Sequence, residues 1–456
     1  MHAELLIHAQ WILPVDPEDR QLPEHAVAIA DGRILALLPS AEARRSVAAA
    51  RAIELPGHVL IPGLVNTHTH AAMTLLRGLA DDLPLTTWLH QHMWPAERRW
   101  VDARFVADGT RLAVLEMLRG GVTCYGDMYL FPEIAAQVTA EAGMRATVGM
   151  ILVNFPTRYA DSAEDCITKG LLLHDRYRDH PLIRTSFAPH SPYAVTDSVL
   201  QRIRVLADEL EVPIHIHLHE TREEIVQSLR EHGERPLARL DRLGLLGPNL
   251  VAVHMTQLED AEIERLAASG AHVVHCPESN LKLASGFCPV TRLLKAGVEV
   301  ALGTDGAASN NDLDLLGEMR SAALLAKGIS GSATALPAAV ALRMATINGA
   351  RALGLDNDIG SLEPGKSADL VALDLREPQT QPIYRPLSPL VYAAGRHQVR
   401  QVWIQGQQVL RDGAPTRLAP DEIISAARGW AERLGPMVNP GRDSGSGRPQ
   451  DPRPFR

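Results

Sequence analysis

His68-Thr69-His70 closes the stretch Leu60-Ile-Pro-Gly-Leu-Val-Asn-Thr-His-Thr-His70, an apolar run that ends in two imidazoles. Residues two apart on a strand point to the same side, so both rings can reach one metal ion from a single strand end. Other apolar runs also stop at groups with metal or proton chemistry. His217 and Glu220 end Val212–Leu218, His254 ends Leu250–His254, Asp305 follows Val298–Leu302, and His190 follows Ile183–Ala188. Nineteen histidines place some at strand ends by chance. His8, His25, His58, His90, His92, His174 and His232 carry no supporting pattern and read as structural or surface residues. Candidates at five separate run ends ask for a common site.

Three neutral imidazoles with one carboxylate suit a zinc ion with water completing the shell, and iron or manganese accept the same mixture. Such a cation lowers the pKa of its water toward 7, and Asp305 can both ligate the ion and take that proton. The run Ile183–Pro192 holds no lysine. Barrel hydrolases with two metals commonly bridge them through a carbamylated lysine, so one metal is expected. Spacing leaves one choice open. His215, His217 and His219 share a face of Ile214–His219, and His215, the deepest, reads equally as a packed core residue.

The elements that must position these groups fall into three stretches. Residues 1–60 read as short strands, with Asp31-Gly32-Arg33 as a hairpin turn between Ala26–Ala30 and Ile34–Leu38. Residues 61–360 alternate apolar runs with helical segments such as Ala103–Leu118 and Asp197–Glu211. That alternation suits a (β/α)8 barrel, whose functional groups gather at the C-terminal ends of its strands. Strand texture returns over 361–434, in Ala368–Leu373, Val399–Ile404 and Gln408–Leu410. The expected fold class is therefore α/β: a TIM-type barrel with a small composite β-sandwich domain built from both ends of the chain. Residues 435–456, rich in Pro, Gly, Arg, Asp and Ser, are expected to be a disordered tail.

Composition removes several functions. A net charge of −9 with no basic block argues against a nucleic-acid partner. Neither a signal peptide nor a membrane-length apolar run is seen, and the four scattered cysteines form no CxxC pair. A cytoplasmic protein with reduced thiols is expected.

The chain resembles the amidohydrolase superfamily over nearly its whole length. The resemblance rests on Pro62–His70, His217-Leu-His-Glu220, His254, His275-Cys-Pro-Glu-Ser-Asn280, Gly303-Thr-Asp-Gly306 and Ile359–Leu370. Within the superfamily it is most similar to the 5-methylthioadenosine/S-adenosylhomocysteine deaminases and their triazine-hydrolase relatives. Thr74–Asp82, Trp88-Leu, Pro95-Ala-Glu97, Ala188–Tyr193 and Gly306–Asp314 carry that closer likeness. The resemblance implies His68, His70, His217 and Asp305 as ligands of one divalent metal, zinc first, and it selects His217 because Glu220 follows three residues later. It further implies that Glu220 shuttles a proton to a ring nitrogen and His254 orients the water. Glu97 would accept from the ribose hydroxyls, His190 would hydrogen-bond the substrate, and Trp88 would line the purine pocket. The implied reaction is hydrolytic deamination of an adenine nucleoside at C6 to the inosine analogue, with release of ammonia. A homo-oligomer, dimer or tetramer, is expected by the same likeness.

Other readings accompany this one. Glu97 in Glu97-Arg98-Arg99 reads equally as a solvated helix residue, and Trp88 as simple packing. Relatives acting on guanine, cytosine or chlorotriazines share the ligand set, and a non-catalytic barrel used as a scaffold is the remaining alternative. No HxE…PCxxC pattern of the cytidine-deaminase type occurs. The 5′ substituent stays open, with Arg158 in Phe155–Tyr159 as one residue able to meet a carboxylate tail.

Overall fold

Two eight-stranded sheets organise the chain in the computed structural model, which describes residues 1–438. The first sheet is built from β1 (His2–Ile12), β2 (Leu22–Ala30), β3 (Arg33–Pro39) and β4 (Ala48–Pro62). The second follows directly with β5 (Leu64–Thr69), β6 (Val122–Asp127), β7 (Arg145–Leu152), β8 (Ile183–Pro189), β9 (Ile214–Leu218), β10 (Leu250–His254), β11 (His272–His275) and β12 (Val300–Leu302). The chain then returns to the first sheet with β13 (Leu370–Asp374), β14 (Val399–Ile404), β15 (Gln407–Arg411) and β16 (Ala414–Pro415). The first sheet runs β16-β15-β14-β13-β4-β1-β2-β3, mixed in direction, so both ends of the chain contribute a block of four strands, joined where β13 pairs with β4, and the composite sheet is as expected.

β5 to β12 pair in parallel in sequence order, with helices between them. The outer strands β5 and β12 meet through side chains and the segments that follow them. Asn66 Oδ1 accepts from the Thr304 amide at 3.0 Å, and the Asp305 amide donates to the His68 carbonyl at 3.0 Å. A Cβ on Gly303 would stand 2.9 Å from His68, so only glycine admits this approach. The result is a nearly closed (β/α)8 barrel. Every residue of β5, β6, β7, β9 and β10 is buried, and β7 and β10 accordingly read as near-continuous apolar runs rather than alternating ones.

Local sequence accounts for most of the elements. The turn between β2 and β3 has positive φ at Asp31 and Gly32, the requirement of a type I′ hairpin that Asp-Gly meets. Ala103–Arg119 starts on Asp102, whose carboxylate accepts from the Phe105 amide at 2.9 Å. β6 and the C-terminal helix are among the elements that the sequence reading did not anticipate. β6 (Val-Thr-Cys-Tyr-Gly-Asp) mixes polar and apolar residues, and its burial on both faces comes from its neighbours β5 and β7. The helix Pro420–Val438 packs its Trp430 ring edge-on to Phe105 at 5.1 Å, with Nε1–H donating to Asp108 at 3.0 Å. That helix runs through 435–438, and the rest of the expected tail, 439–456, lies outside the described residues. Among the described residues no helix is long and apolar enough to cross a membrane.

The two sheets are joined by an ion pair. Arg145 at the start of β7 donates to Asp369, just before β13, at 3.0 Å, and both are buried. Removing one partner of a buried pair leaves a bare charge, whereas replacing both with apolar groups is often neutral. Asp369→Ala is expected to cost about 3–5 kcal/mol. Arg145→Met with Asp369→Leu should recover much of it, as read from denaturant midpoints.

Candidate active site

The C-terminal ends of the barrel strands bring five separate sequence candidates together. His68 comes from β5, and His70 follows it. His217 lies one residue before the end of β9, and Asp305 lies three residues past β12. Donor atoms of these four lie within 4.8 Å of one another. His217 Nε2 stands 3.2 Å from His68 Nε2 and 3.3 Å from His70 Nε2. Asp305 Oδ1 stands 3.4 Å from His68 Nε2 and 3.2 Å from His70 Nε2.

The hydrogen bonds behind these rings decide what the inner atoms can be. His70 Nδ1 faces the Met128 carbonyl, and His217 Nδ1 faces the His190 carbonyl at 2.6 Å. Carbonyls only accept, so both Nδ1 atoms carry hydrogen and, in the neutral rings, both Nε2 atoms present lone pairs. Two lone pairs 3.3 Å apart repel each other unless a proton or a metal ion lies between them. Atoms about 2.0–2.1 Å from a tetrahedral ion stand about 3.3 Å apart from one another, which is the spacing found. The residues therefore fit a metal ion. Burial holds His217 well below the usual histidine range and takes His68 to about 4, which keeps these two rings neutral and able to ligate. Burial opposes the charged form of Asp305, but hydrogen bonds from His68 and His70 outweigh it and hold the carboxyl well below its usual range.

Further residues hold the four in place. His68 Nδ1 meets His215 Nε2 at 3.0 Å. Asp305 Oδ2 accepts from Ser279 at 2.6 Å and Ser309 at 2.9 Å, which leaves Oδ1 facing the imidazoles. The geometry separates the three histidines that spacing could not. His215 lies behind His68. His219, past the strand end with a positive φ, turns away and accepts from the Leu237 amide at 3.0 Å. His217 alone of the three joins the cluster. Ser279 and Asn280 belong to a stretch that the sequence singled out without assigning roles. Ser309, one turn after Asp305, also sat inside a noted motif.

Glu220 and His254 flank the cluster. His254 Nδ1 meets Asn280 Oδ1 at 2.9 Å, so Nδ1 carries hydrogen, and its Nε2 lies 3.8 Å from Glu220 Oε2. The His254 and His217 rings stack at 5.4 Å. His254 and Asp305 both take left-handed backbone conformations, with φ of 75° and 60°. Non-glycine residues rarely do so, and such positions gather at functional sites. Burial pushes the Glu220 carboxyl above its usual range, which suits a group that must carry a proton.

A cavity of about 840 Å³, counted to its open mouth, leads to these groups and is large enough for a small ligand. His70, His217, Glu220, His254 and Asp305 lie at its inner end, and His190, Trp88 and Glu97 also line it. Glu97 comes from the short helix Trp94–Trp100, accepts from the Tyr129 hydroxyl at 2.9 Å, and faces the cavity while Arg98 and Arg99 face solvent. Enclosure in the cavity raises its carboxyl to about 7. Trp88 is buried, and its indole N–H has no partner among the described residues. Burial lowers His190 to about 3, so its ring is neutral. Of the residues singled out in the sequence, Arg158 stays outside; its guanidinium donates to the Arg99 carbonyl at 2.9 Å.

Comparison with known proteins agrees with this architecture. The amidohydrolase family model matches residues 59–409. A 5-methylthioadenosine/S-adenosylhomocysteine deaminase of Teredinibacter turnerae is 51% identical over 429 residues, covering 94% of this chain and 97% of the relative. The crystal structure of an adenosine deaminase from Xanthomonas campestris with bound zinc superposes with a TM-score of 0.94 at 52% identity. It covers 95% of this chain and 99% of that one. An atrazine chlorohydrolase from Arthrobacter aurescens TC1 shares the fold at 23% identity with a TM-score of 0.86, covering 93% of this chain and 99% of that one.

Proposed function

The chain belongs to the amidohydrolase family, and we propose that within it this protein is a zinc-dependent deaminase of adenine nucleosides carrying a 5′-thio or 5′-hydroxyl group. The observation that carries the reading is the pairing of a lone-pair cluster with a carboxylate cavity. His68, His70, His217 and Asp305 converge at one end, and Glu97 lies in the same cavity. The relatives near half identity, named as deaminases of such nucleosides, support it.

His68, His70, His217 and Asp305 would hold the ion. When bound, a divalent cation there supplies the Lewis acidity that makes water nucleophilic near neutral pH. Asp305 would accept the proton that the attacking water gives up. Glu220 carries a proton to the ring nitrogen of the adenine, so that charge does not build up on the ring as C6 becomes tetrahedral. His254, fixed by Asn280, orients the water through Nε2. Proton transfer onto the exocyclic nitrogen then lets ammonia leave, and the 6-oxo base remains.

Glu97 distinguishes nucleosides from free bases. A carboxylate accepts from both hydroxyls of a vicinal diol, and such charge-assisted bonds are the stronger kind. Glu97→Ala is expected to lower kcat/KM for nucleosides by roughly 10- to 100-fold, the loss of one or two such bonds, and to spare any activity on adenine itself. Equal loss on both would remove this role. The sign of its pH dependence follows from its raised carboxyl. Below about 7 Glu97 gains a proton and loses its charge, so KM for nucleosides should rise as pH falls through that value. The general test is ammonia release by the zinc-loaded protein from 5′-methylthioadenosine, S-adenosylhomocysteine, adenosine, guanine and cytosine. Turnover of guanine or cytosine in preference to the nucleosides would favour the free-base reading. Absence of both bound metal and ammonia release would favour the scaffold.

A further inference from the structure

The cavity changes character between its inner end and its mouth. Its inner end holds the carboxylates Glu220 and Asp305, with Glu97 also in the wall. Toward solvent, Leu85 and Leu89 are half-buried, and the rings of Trp94 and Phe155 stand 6.0 Å apart, with Phe155 itself 43% exposed. Among the described residues lining the cavity there is neither lysine nor arginine. Arg158 is next in sequence to the lining residue Thr157, yet its guanidinium is engaged by the Arg99 carbonyl.

From this distribution we infer that the mouth selects the 5′ substituent: a short apolar thioether in preference to both a hydroxyl and a zwitterionic amino-acid tail. The inference rests on the nucleoside reading above. With the adenine directed at the inner cluster and the ribose at Glu97, the 5′ carbon points outward into the Leu85, Leu89, Trp94 and Phe155 walls. Each apolar group added there leaves water for carbon contacts, and one methylene in an apolar pocket is worth about 10-fold or more in kcat/KM. A polarizable thioether sulfur also sits favourably against aromatic rings. A homocysteine tail brings the same sulfur with a carboxylate and an ammonium. The walls at the mouth offer no lysine or arginine to that carboxylate. Its charged end must stay hydrated, so the tail cannot settle against Trp94 and Phe155.

The test compares kcat/KM of the zinc-loaded protein for four adenosines: 5′-methylthio, 5′-butylthio, S-homocysteinyl and unsubstituted. The butylthio and homocysteinyl tails have equal length, so their ratio isolates charge. Both alkylthio compounds are expected to exceed adenosine by about 10-fold or more, and butylthio to exceed homocysteinyl by a similar factor. Phe155→Arg, which places a cation at the mouth, is expected to narrow the second ratio by raising the homocysteinyl rate. Equal rates for butylthio and homocysteinyl substrates, or a homocysteinyl rate that collapses in Arg158→Ala, would overturn the inference and leave the deaminase reading intact. No ammonia from any of the four would remove the deaminase reading, and the inference with it.

Discussion

Asp305→Asn is expected to reduce bound metal from one equivalent to a small fraction and kcat/KM by roughly 10³-fold or more, the joint effect of a lost ligand and a lost proton acceptor. The substitution keeps the shape of the side chain, and one terminal atom can still accept from Ser279 and Ser309. What disappears is the one carboxylate set among three imidazoles. Asp305 Oδ1 lies 3.2 Å from His70 Nε2, and this contact also draws a proton onto His70 when no metal is bound. Although burial opposes it, Asp305 raises that ring to about 8. Metal uptake by the wild-type protein must therefore displace a proton from His70 at neutral pH, and its affinity should climb with pH until about 8. In the asparagine variant that slope should flatten. Metal content by elemental analysis, with circular dichroism to verify folding, decides it. A folded variant with full metal and full activity would refute the ligand assignment.

Glu220→Gln separates proton handling from metal binding. Its expected effect is a fall in kcat of about 10²–10⁴-fold, the usual contribution of a positioned general acid–base group, with metal content retained and KM nearly unchanged. Glu220 is not in the four-residue cluster, and its Oε2 stands 3.8 Å from His254 Nε2. Glutamine keeps the hydrogen-bonding shape and removes only the transferable proton. A parallel loss of metal would mean that Glu220 supports the ion rather than the substrate. His254→Asn should also lower kcat with the metal retained, since Asn280 and not the ion holds the ring at Nδ1.

The arrangement of the barrel was largely legible because most of its strands lie in short apolar runs buried on both faces, and several of those runs stop where chemistry begins. The run Leu250–His254 became β10 with the same bounds. β6 was missed for the opposite reason. Thr123, Tyr125 and Asp127 interrupt its apolar pattern, and they are buried because β5 and β7 enclose them, with side-chain partners for Tyr125 and Asp127. Tyr125, for example, bonds to Thr139 at 2.5 Å. The helix Pro420–Val438 lies past the last strand of the terminal sheet, where no motif drew attention to it, although Trp430 anchors it on Ala103–Arg119.

Taken alone, the sequence determined the kinds of chemistry present and the strand ends that carry them. Imidazoles and carboxylates at the close of apolar runs need no tertiary information to be recognised, because alternation along a strand is a local property. Tertiary structure decided which of these groups meet and which atom each presents. His217 rather than His215 or His219 joins the cluster because the chain turns after β9, carrying His219 away, while His215 lies one layer deeper behind His68. Tautomers were decided the same way: the Met128 and His190 carbonyls, distant in sequence from the rings they hold, turn two Nε2 lone pairs toward a common point. Glu97, as readily a solvated residue on its helix, faces the cavity because Tyr129 holds it there. Each of these outcomes depends on pairs of residues far apart in the chain, and spacing within one segment carries no record of such pairs.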